Sequence, residues 1–226
     1  WEAIFTTKEN VREYVDTVVP EVIYTYRIRA YNPYGYSSYS EEVSGNTMNP
    51  PTNLTAEATG SRVLLSWIDN SQREEKIEVY RRVGRTLQKL ATLPANSTSY
   101  LDETTEFDKT YSYYMRYYNG QNFVDSTVIT ITVLHAPSNL KVTAISSTSV
   151  QVSWADNSTQ EKAYVVERKD GTSGKWKEVA SLPPSSEVYK DVELIPGFTY
   201  FYRVKCISEY GDQVYSEEVK ITTPKN

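Results

Sequence analysis

The chain is short of reactive side chains. It has one cysteine, Cys206, and one histidine, His135. A single cysteine excludes an internal disulfide framework, so the fold must be held by burial and hydrogen bonding. One cysteine and one histidine cannot build a thiolate cage or a multi-histidine metal site. They leave no credible Ser-His-Asp or Cys-His arrangement either. No catalytic, metal-binding or cofactor-binding residue is therefore assigned, no cofactor is expected, and the chain is not expected to be an enzyme. Basic charge is also scarce: 24 Lys+Arg stand against 29 Asp+Glu, a formal net charge of -5. Nucleic-acid binding needs a concentrated basic face to displace counterions, so no nucleic-acid partner is expected. No run of about 18 apolar residues exists, which excludes membrane insertion within this segment. No secretory leader is visible, and no ten-residue stretch carries a helical period.

What the chain has is tyrosine, 20 against 5 Phe and 2 Met. Tyrosine buries a large ring while its hydroxyl reaches a partner or water, and it favours strands. Such a composition predicts β structure with thin cores and wide, half-exposed sheets. The sequence also repeats. "RVLLSWIDNSQREEKIEVYRR" and "TSVQVSWADNSTQEKAYVVERK" align at an offset of 87 residues, with Trp67 on Trp154, Asp69 on Asp156, Asn70 on Asn157, Ser71 on Ser158 and Glu74 on Glu161. Matching lead-ins, "PPTNLTAEA" and "APSNLKVTA", precede them. The opening stretch aligns with the C-terminal part of the last copy: Trp1 on Trp176, Tyr14 on Tyr189, Asp16 on Asp191. Repetition at a fixed period signals an array. The expected division is 1–49 for a C-terminal half copy, 50–135 for a complete copy and 136–226 for another. The seams fall at Asn49-Pro50-Pro51 and His135-Ala136-Pro137, where proline predicts short, stiff linkers.

Within each copy the period is two. Val63, Leu65 and Trp67 alternate with other residues, as do Val150, Val152 and Trp154. Tyr200, Tyr202, Val204 and Cys206 share one face, with Arg203 and Lys205 on the other. Half-buried strands have this pattern. Several short strands per unit, with turn signals between them, argue for an all-β sandwich.

At this point the residues carry a family resemblance. Each full copy resembles a fibronectin type III domain, an immunoglobulin-like β-sandwich. The marks are the Pro-x-x-Leu entry (Pro51 to Leu54, Pro137 to Leu140), Trp67 and Trp154, the following hydrophobe and Val (Ile77 and Val79, Tyr164 and Val166), the Tyr-x-Asp and the Tyr entering the next long strand. The "SWxDNSxxE" phrasing is similar to bacterial secreted and surface versions. The resemblance implies seven strands in two sheets. It casts Trp67 and Trp154 as core plugs and Tyr24, Tyr111 and Tyr200 as corner tyrosines that bond back to the backbone. The middle copy departs from the pattern at "ETTEFDKTY", where Phe107 is expected to fill the core. Asn119-Gly120 is expected to make a tight hairpin turn, giving a shorter loop than in the neighbouring copies. In the half copy, strands C′, E, F and G are expected, without A, B and C. The leading expectation is that this is a segment of a longer array; donor strands from a neighbouring chain are the second, and a collapsed half domain the third.

Candidate sites are few. Cys206 reads as a small core residue. The Asp69-Asn70-Ser71…Glu74 and Asp156-Asn157-Ser158…Glu161 loops offer oxygen ligands, but Asx-turns account for them better than a hard cation. Three sequons, at Asn53, Asn96 and Asn157, are candidate glycosylation sites. The cluster Tyr31, Tyr34, Tyr36, Tyr39 is the candidate contact surface, because tyrosine-rich loops bind at low entropy cost. The function expected is a non-catalytic spacer or filament-building segment of an extracellular or cell-surface protein. Its partners are protein, either the same chain type end to end or neighbouring domains of a longer chain. The alternatives are an accessory module of a secreted carbohydrate-active enzyme, with polysaccharide as partner, and a receptor or adhesin ectodomain.

Overall fold

A computed structural model describes residues 1–225. Every regular element among them is a strand. The first part of the chain forms β1 (Tyr24–Tyr26), β2 (Tyr31–Asn32), β3 (Gly35–Tyr36) and β4 (Val43–Gly45). The second copy comprises β5 (Thr52–Thr59), β6 (Arg62–Ile68), β7 (Lys76–Val83), β8 (Thr86–Pro94), β9 (Ser99–Asp102), β10 (Lys109–Asn119), β11 (Asn122–Asp125) and β12 (Ile129–Val133). The third comprises β13 (Ser138–Ser146), β14 (Ser149–Ala155), β15 (Glu161–Asp170), β16 (Trp176–Leu182), β17 (Val188–Asp191), β18 (Thr199–Ser208), β19 (Gln213–Tyr215) and β20 (Val219–Thr222).

Each full copy is a sandwich. One sheet runs β5-β6-β9, the other β8-β7-β10 with β11 and β12 sharing the far side of β10. The third copy repeats this as β13-β14-β17 and β16-β15-β18 with β19 and β20. The broken last strand has a local cause. Ser126 gives its N–H to the Met115 carbonyl, while its hydroxyl accepts the Met115 N–H. Ser216 does the same with Val204, and Ser40 with Ile28. A serine thus replaces one rung of the ladder and satisfies both groups that the bend exposes.

Alternation fills two separate cores. Val63, Leu65, Trp67, Ile77, Val79, Tyr111, Tyr113, Met115 and Tyr117 pack in the second copy; Val150, Val152, Trp154, Tyr164, Val166, Tyr200, Tyr202, Val204 and Cys206 pack in the third. The pair at the top of each core is exchanged. Ile77 lies opposite Tyr117, whereas Tyr164 lies opposite Cys206. The buried hydroxyl therefore comes from opposite strands in the two copies. Tyr117 accepts the Trp67 Nε1–H at 3.0 Å. With a cysteine in that place, Trp154 Nε1 has no partner among the described residues, and the Tyr164 hydroxyl bonds Asp156 instead.

Four expectations are corrected. Phe107 lies outside the core, exposed and stacked on His135 with ring centroids 4.2 Å apart, and the place that buried Leu194 holds in the third copy is taken by buried Thr105. The β10–β11 turn is centred on Gly120-Gln121, one residue later than Asn119-Gly120, since Asn119 pairs with Asn122. Gly120 takes the left-handed backbone at φ 56, as a glycine-first hairpin requires. The β2–β3 loop is equally short, so only the third copy's loop is longer. In the first part, Trp1–Ile23 form no strand. The equivalent β16 and β17 pair with β15 and β14, and the first part has no such partners.

Candidate contact surfaces

The tyrosine cluster is a hairpin. Tyr31 pairs with Tyr36 and Asn32 with Gly35, and the Tyr34 N–H donates to Asn32 Oδ1 at 2.9 Å. Tyr34 stands at the tip, 97% exposed. Tyr31, Tyr36 and Tyr39 are exposed too. Two of these rings are held by guanidinium groups: Arg29 lies 3.9 Å above Tyr36, and Arg27 lies between Trp1 and Tyr39 at 4.0 and 4.1 Å. A shallow groove of about 390 Å³ runs along Tyr31, Tyr34, Tyr36 and Ser37. Rings fixed by cations lose little rotamer freedom on contact, which suits a binding face.

The same arrangement recurs in the third copy, a relation that pairwise spacing had hidden. Arg203 lies between Trp176 and Tyr215 at 4.5 and 4.2 Å. Its charge is met by Glu167 at 2.6 Å, and Lys205 sits between Glu167 and Glu178. In the second copy Tyr80 and Tyr114 stack at 4.9 Å, and Arg116 beside them forms a two-bond pair with Asp125. Arg116, Arg203 and Lys205 are thus each paired with a carboxylate on the same face. Beneath Tyr80, burial works to raise the Glu78 carboxyl, but hydrogen bonds from Tyr80, Lys89 and Lys76 hold it down at about 2.

The other candidates occupy structural positions. Trp67 and Trp154 are each 5% exposed within their cores. The hydroxyls of Tyr24, Tyr111 and Tyr200 accept the N–H of Val19, Glu106 and Ile195, each five residues upstream, at 3.3, 2.8 and 2.9 Å. Asp69 and Asp156 close Asx-turns by accepting the N–H of Ser71 and Ser158. Asn70 donates to the Pro50 carbonyl and Asn157 to the Ala136 carbonyl, pinning each lead-in strand. Glu74 and Glu161 accept the N–H of Asn96 and Ser185. Among the described residues no cluster of three metal-ligating side chains forms. Among the sequons, Asn157 is half-buried, and its amide donates to the Ala136 carbonyl and the Ser138 hydroxyl. Asn53 and Asn96 are exposed, both with left-handed backbone. Cys206 is fully buried, and that burial pushes its thiol up to about 12, the setting of a core residue.

One constellation was missed by sequence reading. Arg81 and the Tyr113 hydroxyl both bond Asp102 Oδ2, at 2.7 and 2.8 Å. Arg168 and Tyr202 bond Asp191 Oδ2 at the same two distances. In the first part Tyr26 bonds Asp16 at 3.0 Å without an arginine. The "Tyr-x-Asp" signal was visible, but its buried cation lies on a distant strand.

Residues 135–222 match the family model of the fibronectin type III domain. That segment is a fibronectin type III domain. The second copy shares its sheet order, core tryptophan, corner tyrosine and buried Asp-Arg-Tyr group. Among curated proteins, the netrin receptor DCC of Homo sapiens is 25% identical over 232 residues, covering 94% of this chain and 16% of the receptor. The Mus musculus receptor of the same name gives the same figures. The chain thus spans about a sixth of the length of these relatives. Among solved structures, a two-domain fibronectin type III segment of chicken tenascin is 20% identical, with a TM-score of 0.42, covering 76% of this chain and 99% of that one. The FN1–FN3 domains of chicken CNTN1 are 16% identical, with a TM-score of 0.41, covering 92% of this chain and 77% of that one. An extracellular or cell-surface location agrees with the receptor relatives.

Proposed function

We propose that this chain is a non-catalytic spacer of an extracellular or cell-surface protein, divided at 49/50 and 135/136, that holds its neighbours at a set distance and acts through protein–protein contacts. The observation that carries this reading is the lack of free linker. Met48, from the end of the first part, is buried in the core of the second copy, and Leu134 is buried in the core of the third. The residue leaving one domain is a core residue of the next, which favours a stiff array over a flexible string. The contact face proposed is the hairpin of Tyr31, Tyr34, Tyr36 and Tyr39. A receptor or adhesion ectodomain is the second reading, favoured by the netrin receptor relatives. Replacing Tyr34 and Tyr36 by serine tests the contact role, with light scattering as the readout. Weaker association with both full domains still folded supports it. Unchanged association together with fluorescence quenching on polysaccharide titration favours the accessory-module alternative.

A further inference from the structure

The two junctions are built alike around one acidic residue. Glu21 and Asp108 stand three residues before the corner tyrosines Tyr24 and Tyr111, and Gly197 holds the same place before Tyr200. All three have left-handed backbone, with φ of 67°, 59° and 70°. Glycine is the natural occupant of such a position, and a side chain there costs conformational energy. The backbone role is the same in all three: the N–H bonds the carbonyl of Thr47, Val133 or Pro224 at the end of its own copy.

The side chains do something that glycine cannot. Glu21 Oε1 accepts the Asn49 N–H at 2.8 Å and Oε2 accepts the Gln72 N–H at 3.1 Å. Asp108 Oδ1 accepts the Ser158 hydroxyl at 2.5 Å. Gln72 follows Ser71, the equivalent of Ser158, so both carboxylates enter the same Asx loop of the following copy. Ser71 and Ser158 are buried there. A second tie crosses each junction: Arg73 Nε donates to the Glu21 carbonyl at 3.3 Å, and Asp212 Oδ2 accepts the Thr132 N–H at 2.7 Å.

We propose that Glu21 and Asp108 are keys that seat in the Asx loop of the next fibronectin type III copy and fix the angle between the two domains. Met48 and Leu134 set the distance, and the key, with the second tie beside it, sets the rotation. The partner of this surface is another domain of the same kind with an Asp-Asn-Ser loop. The third copy, with glycine in place of the key, cannot fix a following domain in this way. The inference rests on the stiff-spacer reading and names the residues that produce the stiffness.

Asp108→Gly is the informative variant, since glycine accepts φ 59° without strain and the fold of each copy is retained. Spin labels on cysteines placed at the exposed Gln88 and Lys190 of the full chain report the distance between the second and third copies. The unsubstituted chain is expected to give one narrow distribution. Asp108→Gly and Ser158→Ala should each broaden it, and the double variant should add little, as partners in one bond do. Thermal melting should show both domains still folded. A distribution that stays narrow in every variant overturns the key while leaving the spacer reading intact. A broad distribution in the unsubstituted chain overturns both.

Discussion

Trp67 and Trp154 occupy the same place in two copies, yet their indole nitrogens are treated differently. Trp67 donates to Tyr117, and Trp154 lacks a partner among the described residues, with Cys206 standing where Tyr117 would be. Removing either ring should leave a large cavity, and Trp67→Ala is expected to cost about 3–5 kcal/mol, read by denaturant unfolding of the second copy. A loss below about 1 kcal/mol would mean that the ring is not the core plug. Cys206 gives a second test. With its thiol buried and pushed up to about 12, it should resist alkylation at pH 8 in the native chain and react once the chain is unfolded. Rapid native labelling would place it on the surface. The inward faces of these residues were legible from period-two spacing. The Tyr117 and Tyr164 exchange was not, because hydroxyl partners belong to cross-strand pairing rather than to any one strand.

At the scale of strands, the buried Asp-Arg-Tyr group ties β7, β9 and β10 together in the second copy. It does the same for β15, β17 and β18 in the third. Burial works to raise the Asp102 carboxyl. Hydrogen bonds from Thr104 and Tyr113 and the charge of Arg81 nevertheless hold it below the ordinary carboxylate value. Asp102→Ala should cost about 3–5 kcal/mol, since it leaves a buried guanidinium without its partner. A calorimetric transition of the second copy that barely moves would contradict that role. Glu78 supplies the pH dependence. Its folded value of about 2 lies below the ordinary 4.5, so its contribution is fully present above 4.5 and is lost as pH falls through 2. Melting temperature should therefore drop across that interval, and Glu78→Gln should flatten the drop. Strand order and core faces could be read from the sequence. The turn at Gly120-Gln121 and the place of Phe107 could not, because a one-residue register and a filled core are decided by packing.

Across the whole molecule, the repeats were visible as aligned tryptophans, prolines and Asx loops, but the joints were not. Glu21, Asp108 and Gly197 differ in type, and no sequence comparison marks a residue whose partner is the next domain. The aromatic face of the first part was legible as a tyrosine cluster. Its guanidinium scaffold, Arg27 between Trp1 and Tyr39, needed the structure. Junctions built in this way make consecutive copies one stiff body. Backbone ¹⁵N relaxation of the full chain tests it directly, by giving the rotational tumbling of each copy separately. The second and third copies are expected to share one anisotropic diffusion tensor, as parts of a rod do. Two shorter, independent correlation times, one for each domain, would contradict it.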